Sequence, residues 1–220
     1  MKKAVLSLSG GMDSATVLAW LIAQSYAVTA YFFFYGSKHN AHERLCARQL
    51  SAHYGIELVE VDLSPIMAGL KSNLLQGQGE IPEGHYNDAS MSQTVVPGRN
   101  IIFLSLLAGY AWSTGAEVIG IGIHQGDHAI YPDCRKSFFA AMSTAIEEGT
   151  DGQVTIVAPF LSTDKAGILR AGDVYGVPYH LTRTCYKDQP LSCGKCGSCV
   201  ERLEAFTAIG KTDPVEYAAE

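Results

Sequence analysis

The chain of 220 residues is 47% hydrophobic and 17% charged, which excludes disordered and fibrous proteins and provides enough length for one or two domains with a buried core. Its 16 basic and 22 acidic residues give a net charge of −6, which disfavours a nucleic acid as the main partner. The sequence has no apolar run of about eighteen residues for a membrane span and no cleavage site after its short apolar start, so we expect a cytoplasmic protein.

Strand and helix patterns alternate along most of the chain. Continuous apolar runs predict strands, and apolar residues at helical spacing predict helices. The predicted strands are 3–9, 28–35, 57–62, 118–122 and 154–159, and the predicted helices are 13–24, 41–53, 101–112, 137–148 and 165–175. Residues 64–96 are rich in Gly, Ser, Asn and Gln and have only weak patterning. The alternation predicts an α/β domain over residues 1–182, with an open parallel sheet and helices on both faces, followed by a small C-terminal lobe over residues 183–220.

A glycine-rich loop, Ser9-Gly10-Gly11-Met12-Asp13-Ser14, joins the first predicted strand to the first predicted helix. Glycines let the backbone approach a ligand closely, and a helix N-terminus offers free N–H groups and a positive dipole end. The alternative is an ordinary tight turn in which Asp13 or Ser14 caps the helix. Because this end of the first strand is the usual ligand crevice of an open parallel sheet, we predict a phosphate site here, with Asp13 as a candidate ligand of Mg²⁺. The predicted nucleotide-binding residues are Leu8, Ser9, Gly10, Gly11, Met12, Asp13, Ser14, Ala15 and Thr16.

Four of the six cysteines lie close together near the C-terminus, with the spacing C-x7-C-x2-C-x2-C. They are Cys185, Cys193, Cys196 and Cys199. In a chain without a secretion signal, this pattern indicates metal-binding or catalytic thiols and not disulfides. Four thiolates complete the tetrahedral shell of a structural Zn²⁺, while an iron–sulfur cluster and a redox pair at Cys193 and Cys196 are the alternatives. The remaining two, Cys46 and Cys134, are predicted to be ordinary buried thiols.

The loop sequence Ser-Gly-Gly-x-Asp-Ser resembles the pyrophosphate loop of the PP-loop ATP pyrophosphatase superfamily, whose members cleave ATP between its α- and β-phosphates and adenylate an oxygen of the substrate. Further segments resemble the 7-cyano-7-deazaguanine synthase family of the queuosine pathway. They are 35–39 with Glu43, 96–100, 120–122 with Asp127, 131–135, 163–165 and the cysteine segment with Arg202, Phe206 and Asp213-Pro214. The match covers nearly the whole chain. The sequence departs from the family pattern at Ser37-Lys38, Ile130 and Arg183-Thr184.

The resemblance implies a reaction in which 7-carboxy-7-deazaguanine, ammonia and ATP give the nitrile through adenylated intermediates. It implies ATP, Mg²⁺ and a structural Zn²⁺ as cofactors, and it allows a homodimer. The implied catalytic residues are Asp13, Arg99, Asp127 and Lys165, of which Arg99 and Lys165 would face the developing charge and Asp127 would hold Mg²⁺ or orient ammonia. The implied substrate contacts are Tyr131, Asp133, Arg135 and His39.

Simpler roles and other functions stay open at this point. Arg99 and Lys165 begin predicted helices and can form surface ion pairs only, and Asp133 can be a turn residue after a proline. The departures from the family pattern leave open a second hypothesis, ranked below the synthase, of a family member that stops at the amide or uses another amine. A third hypothesis is a PP-loop enzyme that modifies tRNA, and a fourth is a nucleotide sensor that binds ATP without forming AMP.

Overall fold

The computed structural model describes residues 1–219 and contains a five-stranded parallel sheet with helices on both faces. The strands are β1 (Lys3–Ser7), β2 (Ala27–Phe34), β3 (Glu57–Asp62), β4 (Val118–Gly120) and β5 (Thr155–Val157), in the order β3-β2-β1-β4-β5. The helices are α1 (Met12–Ala23), α2 (Asn40–Tyr54), α3 (Ser64–Met67), α4 (Arg99–Thr114), α5 (Lys136–Gly149), α6 (Lys165–Tyr175) and α7 (Gly197–Ala208). The predicted α/β class with an open parallel sheet is confirmed.

The alternation of side chains along the strands divides the core into two halves, one on each face of the sheet. On one face, Val5 and Ile119 belong to a buried cluster that includes residues of α4 and α5. On the other face, Leu6 and Phe32 belong to a cluster with residues of α1, α2, α6 and α7, including Phe206. Because helices cover both faces, the inner strands β1, β2 and β4 have continuous apolar runs, whereas the edge strand β3 carries acidic residues. The C-terminal helix α7 therefore shares a core with the sheet, and the domain division after residue 182 stays a prediction.

The order of the strands determines where a ligand can bind. From β1 the chain continues through α1 to β2 on one side, and from the neighbouring β4 it continues through α5 to β5 on the other side. Such a point of reversal opens a crevice between the carboxyl ends of the two strands. The loop after β4 lies against α1, since a Cβ atom on Gly122 would lie only 3.0 Å from the backbone nitrogen of Ser14.

The C-terminal segment is held in place by a fully buried arginine on α7. Arg202 is 1% exposed, and its Nε and Nη2 donate to the Asp213 carboxylate at 2.7 and 2.9 Å. Its Nη1 donates to the hydroxyls of Thr182 and Thr184 at 2.8 and 3.1 Å. The guanidinium of Arg202 thus joins α7 both to the segment that precedes the helix in the chain and to the segment that follows it. Among residues 1–219, none of the helices combines the length and the apolar character that a membrane span requires.

Candidate active site

The loop between β1 and α1 forms part of the wall of a cavity at the carboxyl ends of the strands. Gly10 has a φ of 83°, and a Cβ atom there would lie 2.5 Å from a backbone oxygen of α2, so glycine is required. Gly11 precedes α1 without a side-chain cap, which shows that neither Asp13 nor Ser14 acts as one. The Ser9 hydroxyl accepts a hydrogen bond from the Gly11 N–H at 3.2 Å and lies 3.1 Å from the Ser14 hydroxyl. The first turn of a helix has no intrahelical acceptors for its N–H groups, so this end of α1 can bind an anion.

A buried cluster of charged side chains lies beside this loop. The Nζ of Lys165, at the start of α6, donates to Asp13 Oδ2 at 2.8 Å and lies 3.2 Å from Glu201 Oε2 on α7. The same nitrogen is 3.0 Å from Nε2 of His124, whose side chain is fully buried. His124 Nε2 in turn lies 3.4 Å from Asp127 Oδ1. Four elements that are distant in sequence therefore meet at one ammonium group.

The members of this cluster control each other's ionisation. Burial alone would raise the pKa of Asp13, but Lys165 and His124 outweigh it, so the pKa lies below its usual value. Burial alone would lower the pKa of Lys165, but the carboxylates of Asp13, Glu201 and Asp127 raise it above its usual value. Asp13 and Lys165 are therefore both charged at neutral pH. A fixed ammonium beside an anion site is suited to offset charge that develops on a leaving phosphate.

A second group of polar side chains on the cavity wall comes from α2, α4 and the residue before α2. Arg99, the first residue of α4, lines the cavity with its guanidinium carbon 5.9 Å from the centre of the Tyr131 ring. Glu43 Oε2 lies 3.4 Å from Nε2 of His39, and the two side chains are 14% and 2% exposed. Burial raises the pKa of Glu43 to about 8. Burial, assisted by the charge of Arg99, lowers the pKa of His39 to about 3, so both groups are mainly uncharged at neutral pH.

Three tyrosines supply hydroxyls and ring faces to the same cavity. Tyr86 donates to Asp127 Oδ1 at 2.8 Å. The Tyr131 hydroxyl lies 2.7 Å from the hydroxyl of Thr94 and 3.3 Å from that of Tyr186. Burial raises the pKa of all three tyrosines, so their hydroxyls remain protonated. Rings that are held rigidly by their hydroxyls are suited to pack against a planar heterocycle.

Most of the residues predicted from the sequence lie together around this cavity. All four predicted catalytic residues line it: Asp13, Arg99, Asp127 and Lys165. Besides Asp13, five of the predicted nucleotide-binding residues and two predicted substrate contacts do so: Leu8, Ser9, Gly11, Met12 and Ser14, and Tyr131 and His39. Ala15 and Thr16 are fully buried behind the loop. Neither Arg99 nor Lys165 is confined to a surface ion pair.

Two predicted substrate contacts are not part of the cavity lining. Asp133 Oδ2 accepts a hydrogen bond from the backbone N–H of Asn100 at 2.9 Å, which satisfies a donor in the first turn of α4. Arg135 is exposed, and its Nε donates to the backbone oxygen of His128 at 3.0 Å. The structure gives both side chains local structural contacts, and their substrate roles stay predictions without support from this geometry.

Several cavity residues were not assigned a role from the sequence. Glu201 follows the last clustered cysteine by two residues, in a segment whose spacing indicates only a metal site. Tyr86 lies in the segment with weak patterning, which contains a 3-10 helix at Ala89–Thr94 and contributes to the wall of the site. Tyr186 follows Cys185 directly. The feature of the sequence that could have identified these residues was the presence of acidic and aromatic side chains in segments without a predicted helix or strand.

The four clustered cysteines form a compact and buried set. Their sulfur atoms all lie within 4.8 Å of one another, and those of Cys193 and Cys199 are 3.9 Å apart. Around one Zn²⁺ with bonds of about 2.3 Å, a tetrahedron would place the sulfurs about 3.8 Å apart, so the set fits a single ion. The sulfur of Cys193 also accepts the backbone N–H of Cys196 at 3.2 Å, as a thiolate ligand would. All four cysteines take part, which disfavours a simple two-cysteine redox pair.

The comparison with known proteins covers the chain almost from end to end. A family model described as "Queuosine biosynthesis protein QueC" matches residues 3–210. A protein of Methanoregula boonei named "7-cyano-7-deazaguanine synthase" is 48% identical over 215 residues, which cover 98% of this chain and 99% of that protein. A protein of Marinomonas sp. with the same name is 46% identical over 218 residues, which cover 99% of both chains.

Solved structures of low identity resemble the chain in fold alone. An NMN synthetase from Francisella tularensis has a TM-score of 0.50 at 16% identity and is matched over 96% of this chain and 78% of that one. A predicted subunit of tRNA methyltransferase from Methanocaldococcus jannaschii has a TM-score of 0.53 at 12% identity, over 100% of this chain and 93% of that one. The family match and the full-length relatives show that this chain belongs to the QueC family of queuosine biosynthesis proteins.

Proposed function

We propose that this chain is a 7-cyano-7-deazaguanine synthase, which uses ATP and ammonia to convert the carboxylate of 7-carboxy-7-deazaguanine to a nitrile. The observation that carries the proposal is the buried pair of Asp13 and Lys165 beside the phosphate loop. The relatives that match this chain over nearly its full length are named 7-cyano-7-deazaguanine synthase. The resemblance of the loop to those of the PP-loop superfamily supports cleavage of ATP between the α- and β-phosphates.

The first step is the activation of the carboxylate. A carboxylate is a poor electrophile, and transfer of AMP to one of its oxygens makes that oxygen a good leaving group while pyrophosphate departs. The N-terminus of α1 holds the phosphates, and Lys165 and Arg99 offset the charge that develops on them. Asp13 Oδ1 is buried without a hydrogen-bond partner in residues 1–219, so this oxygen fits a Mg²⁺ ligand. Mg²⁺ would neutralise phosphate charge there.

The second step is the attack of ammonia on the activated carbon, which releases AMP and leaves the amide. Asp127 lies in the cavity wall with Oδ1 fixed by Tyr86, and we assign it the orientation of ammonia. A second transfer of AMP, to the amide oxygen, followed by loss of that AMP leaves the nitrile. Each nitrile then requires two ATP and gives two AMP and two pyrophosphates, and both carboxylate oxygens leave in AMP.

The four cysteines would hold a structural Zn²⁺ that fixes the start of α7 and therefore the approach of Glu201 to Lys165. A homodimer, a cytoplasmic location and the division into an ATP-binding domain and a zinc lobe belong to the same proposal. Light scattering of the purified protein tests the oligomeric state. Limited proteolysis tests the division, since a separate lobe would be released by cleavage near residue 182.

The reaction is tested by mass spectrometry of the products from 7-carboxy-7-deazaguanine, ATP, Mg²⁺ and ammonium, with AMP followed in parallel. We expect the nitrile and AMP, and we expect neither from Asp13→Ala. Asp173→Ala is the matched control, because Asp173 forms an exposed ion pair with Lys211 on the surface. Amide as the only product, or AMP without any deazaguanine product, would overturn the proposal and indicate another acceptor.

A further inference from the structure

The carboxyl group of Glu43 lines the cavity and has no part in the adenylation steps. It projects from the first turn of α2, and its side chain is 14% exposed. The basic side chain within 4.0 Å of it, among residues 1–219, is that of His39, at 3.4 Å between Oε2 and Nε2. His39 Nδ1 is itself buried without a hydrogen-bond partner in the same part of the chain. This part of the wall therefore presents polar atoms whose hydrogen bonds are incomplete.

Partial removal of a carboxyl group from water, without donors in its place, disfavours the charged form of Glu43. Burial raises the pKa of Glu43, although the positive charges of Arg99 and Arg183 act in the opposite direction. Arg183 uses its Nη groups to donate to the backbone oxygens of Lys187, Gln189 and Pro190. Within residues 1–219 no hydrogen bond reaches the Glu43 carboxyl group, which is partly exposed to the cavity, so the N–H groups of a ligand there would find a free acceptor.

The surroundings of Glu43 favour a flat aromatic ligand. The rings of His39 and Tyr186 are 5.3 Å apart between their centres, and those of Tyr35 and Phe103 are 5.6 Å apart. All four of these side chains line the cavity, as Glu43 does. A heterocycle placed among such rings would present its edge, and not its face, to an acidic group in the wall.

We propose that Glu43 binds the guanine-like edge of the deazaguanine ring, accepting hydrogen bonds from its N1–H and 2-amino groups. The inference rests on the proposed function. Two adjacent donors match the two oxygens of one carboxylate, which gives a paired, charge-assisted contact. Glu43 is mainly uncharged in the empty site, and two donors at its oxygens would favour the ionised form that accepts both bonds. The same edge of adenine offers one donor and one acceptor, so Glu43 ionised in this way distinguishes the ring to be modified from the base of ATP. Glu43 is then a specificity-determining residue of the acceptor site.

The variant Glu43→Gln tests this assignment because an amide offers one acceptor and one donor. The amide would accept only one of the two hydrogen bonds from the guanine-like edge, and its own N–H group would face the second N–H donor of that edge. It would pair correctly with the one donor and the one acceptor of an adenine edge. We expect KM for 7-carboxy-7-deazaguanine to rise about 10- to 100-fold in steady-state kinetics, as for loss of a hydrogen bond to a charged group. KM for ATP should stay at the wild-type value. Glu57→Gln, at an exposed position on β3, is the matched control, and thermal melts of both variants check folding.

A binding experiment separates this inference from the proposed reaction. Calorimetry with 7-deazaguanine and with its analogue that lacks the 2-amino group needs no turnover. The wild type should prefer the amino compound, and Glu43→Gln should lose that preference. An increase in KM for ATP alone, or an unchanged preference for the 2-amino group in the variant, would overturn the role of Glu43. A wild type that makes no nitrile but shows the preference would refute the proposed reaction and leave the ring contact standing.

Discussion

Replacing Asp213 with alanine removes the counter-charge of a fully buried guanidinium. Asp213 and Arg202 are 2% and 1% exposed, and two hydrogen bonds of 2.7 and 2.9 Å join them. Asp213 also accepts a hydrogen bond from the Tyr217 hydroxyl at 2.6 Å. After the substitution, the positive charge of Arg202 stays buried with only neutral acceptors, including Thr182 and Thr184.

Breaking a buried ion pair by removing one partner costs about 3–5 kcal/mol of unfolding free energy. In a chain of this length each kcal/mol corresponds to about 2–4 °C, so Asp213→Ala should lower Tm by about 6–20 °C. The assay is a thermal melt followed by circular dichroism with zinc in excess. The double variant with Arg202→Met should recover part of the loss, because it leaves no unpaired charge in the core.

The matched control is Asp173→Ala, which breaks an ion pair with Lys211 whose two side chains are 39% and 51% exposed. An exposed pair contributes about 0–1 kcal/mol, so this variant should melt within a few degrees of the wild type. Equal melting temperatures for Asp213→Ala and Asp173→Ala would refute the reasoning from burial. A double variant that is less stable than either single variant would also contradict it.

Three further predictions concern the site itself. Lys165→Met should slow AMP formation about 100- to 1000-fold in a coupled assay, whereas Lys211→Met should not, and equal rates for the two would contradict the role of Lys165. Cys196→Ser should contain less zinc than the wild type, as measured by atomic absorption, and should melt at a lower temperature. The control Cys46→Ser should keep its zinc, and a Cys196→Ser variant with unchanged zinc content and Tm would exclude a structural ion. Because the pKa of Glu43 is raised from 4.5 to about 8 on folding, the folded state retains a proton that the unfolded chain releases, and the unfolding free energy should fall as the pH rises through this range. Urea titrations of wild type and Glu43→Gln above pH 6.5, the usual pKa of histidine, avoid a contribution from His39, whose lowered pKa leaves it mainly neutral in both the folded and the unfolded state there. The wild type should show the steeper fall; parallel curves would show that Glu43 is not protonated in the empty site.

The sequence predicted the sheet and the phosphate loop because both depend on local patterns. The strand β3 (Glu57–Asp62) and the helix α6 (Lys165–Tyr175) have the predicted bounds. The first strand ends at Ser7, two residues before its predicted end, because the chain turns away at Gly10 with a positive φ. The spacing of apolar residues indicates which positions are buried, but it does not indicate where the backbone must turn around a ligand.

The remaining parts of the site depend on contacts that no local pattern records. Glu201 meets Lys165 only because α7 packs beside α6, and no local sequence pattern indicates that packing. Asp133 lies near other site residues in the sequence, yet its carboxylate binds the first turn of α4. Tyr86 reaches Asp127 from a segment without periodicity. Such contacts between distant segments require the tertiary structure.

Adenylation of the substrate carboxylate is the step on which the proposed reaction depends, and the fate of the carboxylate oxygens reveals whether it occurs. The measurement is mass spectrometry of AMP formed from ATP, ammonium and 7-carboxy-7-deazaguanine labelled with oxygen-18 in both carboxylate positions. We expect two AMP for each nitrile, each carrying one labelled oxygen. Unlabelled AMP beside labelled water or labelled pyrophosphate would contradict it.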